Sequence, residues 1–181
     1  MQKRFRTLPK RRSLTQVKVE FKAVRAKPED WQRVVKLRLR ALEDSPQWFA
    51  GDFRRESNRS EEEWRSLIEE MHWIIYVHDG RDVGIMTVEK ADPIRGTDCW
   101  LGGCWVEPNL RGNGITAKMI SELDVICRAE GWNIQGLGVW PNNEVAIRAY
   151  ERCGFEKLGE PQFSRSKPDQ LYQKMTRTLK H

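Results

Sequence analysis

Apolar and polar residues alternate from Val17 to Arg25 in a run too short for most helices, so the segment reads as a first strand. Pro28-Glu29-Asp30 then opens a helix, and Trp31, Val34, Val35, Leu37, Leu39 and Leu42 give it a broad apolar face to about Glu43, stopped by Asp44-Ser45-Pro46. Residues 45–60 show no clear period and carry Trp48, Phe49 and Gly51, a plausible lid. Ser60-Glu61-Glu62-Glu63 resembles a capping box and predicts a helix through Trp64, Leu67 and Ile68. Trp73–Val77 and Val83–Val88 are strand-like runs joined by Asp79-Gly80, a hairpin signal. After a polar break, Cys99–Val106 is a further strand, and its Gly102-Gly103 pair predicts a bulge or a close backbone approach. Residues 115–130 hold Ile115, Met119, Ile120, Leu123, Ile126 and Cys127 at helical spacing, with Gly131 as the stop. Ile134–Trp140 reads as a strand, Asn143–Cys153 as a short helix and residues 170–178 as the last strand. The order β-α-α-β-β-β-α-β-α-β, with antiparallel hairpins, predicts an α+β sheet covered by helices.

Composition narrows the class. At 181 residues, 39% hydrophobic and 32% charged, with eight Trp, the chain is expected to build one globular core. No apolar run approaches the roughly 20 residues of a membrane span, and the start lacks an apolar signal region, so a cytoplasmic protein without membrane contact is expected. The net charge of +6 is unevenly placed: residues 1–27 carry ten Lys/Arg against Glu20 alone, leaving the remainder with 22 basic and 25 acidic residues. That is a basic tail on a mildly acidic body, so residues 1–16 are read as a disordered basic arm and residues 17–181 as one domain. Nucleic acid is not the expected partner, and a homodimer stays open. Cys99, Cys104, Cys127 and Cys153 form no C-x-x-C pair and have no metal-ligand spacing with His72, His78 and His181. Neither metal nor disulfide is expected.

The most informative segment runs from Trp105 through Arg111-Gly112-Asn113-Gly114-Ile115-Thr116, a strand entering an amphipathic helix through a glycine-punctuated turn. Free N–H groups at the helix start form an anion site, and glycines let a diphosphate approach the main chain. Neither the Walker nor the Rossmann spacing is present. Downstream, Asn143 can cap a helix on which Ala146 and Tyr150 share a face, so a small residue leaves room beside a projecting phenol.

Over residues 18–178 the chain resembles the GCN5-related N-acetyltransferase (GNAT) superfamily. Arg111-Gly112-Asn113-Gly114-Ile115-Thr116 is similar to the family's Gln/Arg-x-x-Gly-x-Gly/Ala acetyl-CoA loop. Asn143-x-x-Ala146-x-x-x-Tyr150-x-x-x-Gly154-Phe155 is similar to its downstream helix. Thr116 departs from the pattern, standing where Gly or Ala is usual. The resemblance implies a mostly antiparallel mixed sheet with a splayed strand pair and helices on both faces. It also implies acetyl-CoA as cosubstrate, held by Cys104, Trp105, Val106, Arg111–Thr116, Asn143, Ala146 and Tyr150.

In the family the splayed strand pairs with pantetheine, a main-chain N–H polarises the thioester carbonyl, and the matching tyrosine protonates the departing thiolate; here these roles fall to Cys104–Val106 and to Tyr150. The resemblance thus implies acetyl transfer to a primary amine of a small molecule by direct attack. The alternatives are a protein α-amine or lysine acetyltransferase and a CoA-binding regulatory module without catalysis. For the amine's proton, Asp98, Glu107, Glu89 and a water relay stay open. Trp48, Phe49, Trp73 and Trp100 are candidate walls of the acceptor pocket.

Overall fold

A computed structural model describes residues 21–179; the basic arm and residues 17–20 of the predicted first strand lie outside them. Eight strands form the sheet: β1 (Phe21–Arg25), β2 (His72–His78), β3 (Arg81–Lys90), β4 (Cys99–Val106), β5 (Ile134–Val139), β6 (Glu156–Lys157), β7 (Gln162–Phe163) and β8 (Leu171–Thr178). Their order is β1-β2-β3-β4-β5-β8-β6, with β7 paired to β8. Among the described residues only β4 and β5 pair in parallel. The helices are α1 (Trp31–Asp44), α2 (Phe53–Ser57), α3 (Glu61–Glu70), α4 (Ile115–Ala129) and α5 (Glu144–Arg152).

The sheet divides the interior into two cores. Ile74, Tyr76, Met86 and Val88 pack against Met119, Ile120 and Leu123 of α4. Trp73, Ile75 and Ile85 face Leu37 and Ala41 of α1 and Trp64 and Ile68 of α3. Burial on both faces explains why β2 reads as a continuous apolar run rather than an alternation. Truncating Leu123 or Trp64 to Ala would cost about 2–5 kcal/mol.

Local chemistry sets the boundaries. Ser60 Oγ accepts from the N–H of Glu63, and the Glu63 carboxylate accepts from the N–H of Ser60, closing the predicted capping box. Asp79 and Gly80 have φ of 48° and 73°, the left-handed pair that a two-residue hairpin needs. The predicted element order was incomplete. Helix α2, capped by Asp52 accepting from the N–H of Arg55 at 2.8 Å, falls in the stretch without a period, because five residues are too few to show one. The two-residue strands β6 and β7 are shorter still.

Two irregularities open the sheet where β4 meets β5. Parallel pairing runs only through Cys99–Gln135, Trp100–Gly136 and Leu101–Leu137, after which the strands splay. On its other edge β4 bulges: Trp105 pairs with Ile85 and Gly102 with Thr87, so Gly103 and Cys104 oppose Met86 alone. Gly103 takes φ +61°, the freedom that the predicted bulge required.

Candidate active site

The bulge decides where Cys104 points. One extra residue shifts the alternation by one, so Leu101 and Cys104 share the α4 and α5 face although they are three apart. The thiol there interacts with the hydroxyls of Tyr150 and Thr116, and burial pushes its pKa up to about 11. From Gly102 onward, the β4 edge that faces β5 has no strand partner among the described residues, which leaves main-chain groups for a ligand.

Tyr150 is held by the end of its own helix. Asn143 Oδ1 caps α5 by accepting from the N–H of Ala146 at 3.2 Å. At the other end Gly154 takes φ +85°, its N–H donates to Glu151 O at 2.9 Å, and the N–H of Phe155 donates to Tyr150 O at 3.1 Å. This is a Schellman closure, and the accompanying apolar contact is Phe155 against Tyr150, ring centroids 6.1 Å apart at 66°. The phenol is thereby fixed beside Cys104. Burial first, then the adjacent Cys104, raises its pKa well above the usual tyrosine value, so it stays a proton donor.

A groove of about 440 Å³ runs from the splay to the start of α4. Cys104, Trp105, Val106, Arg111, Gly112, Gly114, Ile115, Thr116, Asn143, Ala146 and Tyr150 all line it. Asn113 does not; its amide donates to Leu110 O at 3.1 Å, which stiffens the turn. Gly112 and Gly114 have φ of +82° and +72°, with open space where a Cβ would stand. The first N–H groups of α4 lie beyond the reach of intrahelical carbonyls, and no acid occupies its first turn.

The Arg111 side chain serves a structural purpose: its guanidinium pairs with Asp44, and Nε donates to Val106 O at 2.8 Å. Burial opposes the Asp44 charge, yet hydrogen bonds from Ser45, Trp105 and Arg111 outweigh it and hold the carboxyl at about 2. Thr116 turns its hydroxyl toward Cys104. Sequence reading missed Ala117, Val145, Ala149 and Arg152, which also line the groove. Helical steps from Ala146 and Tyr150 were the available signal for the three on α5.

A second cavity of about 590 Å³, lined by both splayed strands, shares Trp48, Phe49, Cys104, Asn143, Ala146 and Tyr150 with the groove. Trp48, Phe49 and Trp100 are among its walls, whereas Trp73 packs edge-on against Trp64 in the core, 6.3 Å between centroids. Gly136 and Gly138 make room for Trp100: a Cβ on Gly136 would lie 2.9 Å from its ring, and one on Gly138 3.3 Å away.

None of the candidate carboxylates lines this cavity. Asp98 accepts from the N–H groups of Asn133 and Ile134 at 2.7 and 2.8 Å, fastening the start of β5. Glu107 is paired with Arg40 at 2.7 Å and Arg81 at 3.5 Å. Glu89 has its pKa raised by burial, partly offset by Arg95. Among the described residues no group of three or more His, Cys, Asp or Glu is placed to hold a metal ion. No helix there is long and apolar enough to cross a membrane.

The model of the acetyltransferase (GNAT) family matches residues 31–155. An acetyltransferase of the GNAT family from Streptococcus pneumoniae superposes with a TM-score of 0.71 at 18% identity, covering 89% of this chain and 100% of that one. The putative acetyltransferase yncA from Salmonella typhimurium, solved with its cofactor acetyl-CoA, gives 0.70 at 17% identity, covering 90% of this chain and 95% of that one. RimL, a ribosomal L7/L12 alpha-N-protein acetyltransferase solved with coenzyme A, gives 0.67 at 14% identity over 88% and 94%. No curated protein matches the chain. The fold is thus shared with these structures, the family model spans well over half of the sequence, and the chain belongs to the acetyltransferase (GNAT) family.

Proposed function

We propose that the protein transfers an acetyl group from acetyl-CoA to a primary amine of a small molecule by direct attack. The observation that carries this reading is that groove and cavity meet where β4 has left β5, with Cys104 and Tyr150 among the residues they share. The groove fits a CoA-like ligand. The turn presents uncompensated N–H groups and open glycines for a diphosphate, and the freed β4 edge offers main-chain partners to an amide-bearing arm. Acetyl-CoA, when bound, supplies an activated acyl carbon and a thiolate leaving group. A main-chain N–H of the bulge would polarise the carbonyl, a contribution of about 10²- to 10³-fold. Tyr150 holds the proton that the thiolate needs.

The amine enters through the cavity. With Asp98 and Glu107 occupied elsewhere and Glu89 outside the cavity lining, its proton leaves to water, and the cationic walls favour the neutral amine. A small amine suits this cavity better than a protein terminus, because Trp48–Ala50 wall one side and Gln162–Ser166 another. Incubation with acetyl-CoA and a panel of small amines, with free thiol as readout, tests the reading. Amine-dependent thiol release is expected; CoA binding without release for any amine or peptide would leave a binding module.

A further inference from the structure

Among the described residues, the charged ones lining the acceptor cavity are Arg95, Arg165 and Lys174, with no acid. Arg165 is exposed and pairs with Asp92 at 3.5 Å. Arg95 differs. Its guanidinium lies 3.9 Å from the centroid of the Trp100 ring and makes no hydrogen bond or ion pair among the described residues. Lys174 Nζ donates to the Arg95 main-chain carbonyl, and both residues line the cavity; the acid acting on Arg95 is Glu89, opposite Trp100 on β3, which interacts with it electrostatically without forming an ion pair and does not line the cavity. Gly136 and Gly138 hold Trp100 flat on β5, and Tyr172 meets its edge 6.4 Å away at 83°. A half-buried guanidinium is thus spread on an indole with its donor edge unused, a geometry suited to a planar carboxylate.

We infer that the acceptor is an amine carrying a carboxylate remote from the reacting nitrogen, held by Arg95 and Lys174 over the face of Trp100. The inference rests on the acetyl-transfer reading and deepens it by naming the substrate class. A second ammonium on the substrate would meet the like charges of Arg95, Arg165 and Lys174, which line the cavity without an acid among them. Polyamines and lysine-rich peptides are therefore excluded from this cavity, and an aromatic or aliphatic body between amine and carboxylate is accepted.

Three probes with one aromatic body decide the matter: 4-(aminomethyl)benzoate, benzylamine and 1,4-bis(aminomethyl)benzene, titrated calorimetrically into the protein with and without saturating CoA. The carboxylate probe should bind at least tenfold tighter than benzylamine, with the diamine weakest. Arg95→Gln should remove that advantage while benzylamine binding stays within twofold, and Arg95→Glu should reverse the order. Equal binding of the three probes, absence of binding by all of them, a diamine preference in the unaltered protein, or an unchanged advantage in Arg95→Gln would each overturn the inference. CoA that fails to bind would instead count against the acetyl-transfer reading, and the CoA-free titration still decides the anion preference.

Discussion

Arg111, at the head of the glycine turn, is ion-paired with Asp44, the last residue of α1, and that same carboxylate accepts from Trp105 Nε1 at 3.0 Å. The turn, the first helix and the splayed strand are thereby tied at one carboxylate. If Arg111 serves CoA through this knot, Arg111→Ala and Asp44→Ala should each weaken CoA binding about 3- to 10-fold, and the double variant no more than the worse single one. Additive losses in a calorimetric double-mutant cycle would put the Arg111 guanidinium on the diphosphate itself.

The same carboxylate should mark acid unfolding. Its folded pKa of about 2 lies below the unfolded value of about 3.9, so its contribution is present above pH 4 and is lost as pH falls toward 2. In that window the unfolded state binds the extra proton, and stability rises with pH. Asp44→Asn should flatten the dependence of the urea midpoint between pH 4 and 2 and leave its slope above pH 5 unchanged.

Gly112 and Gly114 hold left-handed backbone in front of the groove. A side chain at Gly114 strains the turn and intrudes where a diphosphate would lie, and proline at Gly112 cannot adopt its φ of +82°. Gly112→Pro and Gly114→Val should abolish the rise in Tm that acetyl-CoA produces. An undiminished rise in both would place the nucleotide elsewhere.

Beneath the bulge, Arg38 of α1 grips Glu56 of α2 at 2.8 Å with both side chains largely buried, and the guanidinium also lies 5.2 Å from the Phe49 ring centroid. Glu56→Gln leaves a buried guanidinium without its counter-charge, a loss of about 3–5 kcal/mol that should appear in the denaturant midpoint. Gly51 packs onto the pair, where a Cβ would stand 2.1 Å from Glu56 Oε1, so Gly51→Ala should destabilise as well. Midpoints unchanged in both variants would show that the pair adds nothing.

The legible parts of the fold were those with strong local rules. The Asp79-Gly80 turn, the Ser60 capping box and the apolar stripe of α4 each follow from a short stretch of chain. Strand β4 and its bulge were readable because a glycine pair inside a strand has few other uses. The fate of charged side chains was not, since Arg111 with Asp44 and Arg38 with Glu56 join residues remote in sequence. Family resemblance pointed to Tyr150, Gly154 and Phe155, but their physical link, the Schellman closure that locks the phenol, required the hydrogen bonds of the folded chain.

The Tyr150 hydroxyl separates an enzyme from a binding module. Tyr150→Phe keeps the ring, its contact with Phe155 and its place beside Ala146, so CoA binding should change by no more than a few fold. Loss of the proton donor should lower kcat by about 10²-fold or more with KM for acetyl-CoA little altered, the mark of an interaction made chiefly in the transition state. Because burial keeps the phenol protonated beyond the ordinary tyrosine range, the unaltered enzyme should show no fall in kcat from this group up to about pH 9.5. Steady-state rates of both proteins from pH 6 to 9.5 check the pair of expectations. A loss below about threefold throughout would reduce Tyr150 to a packing residue and assign the thiolate's proton to water.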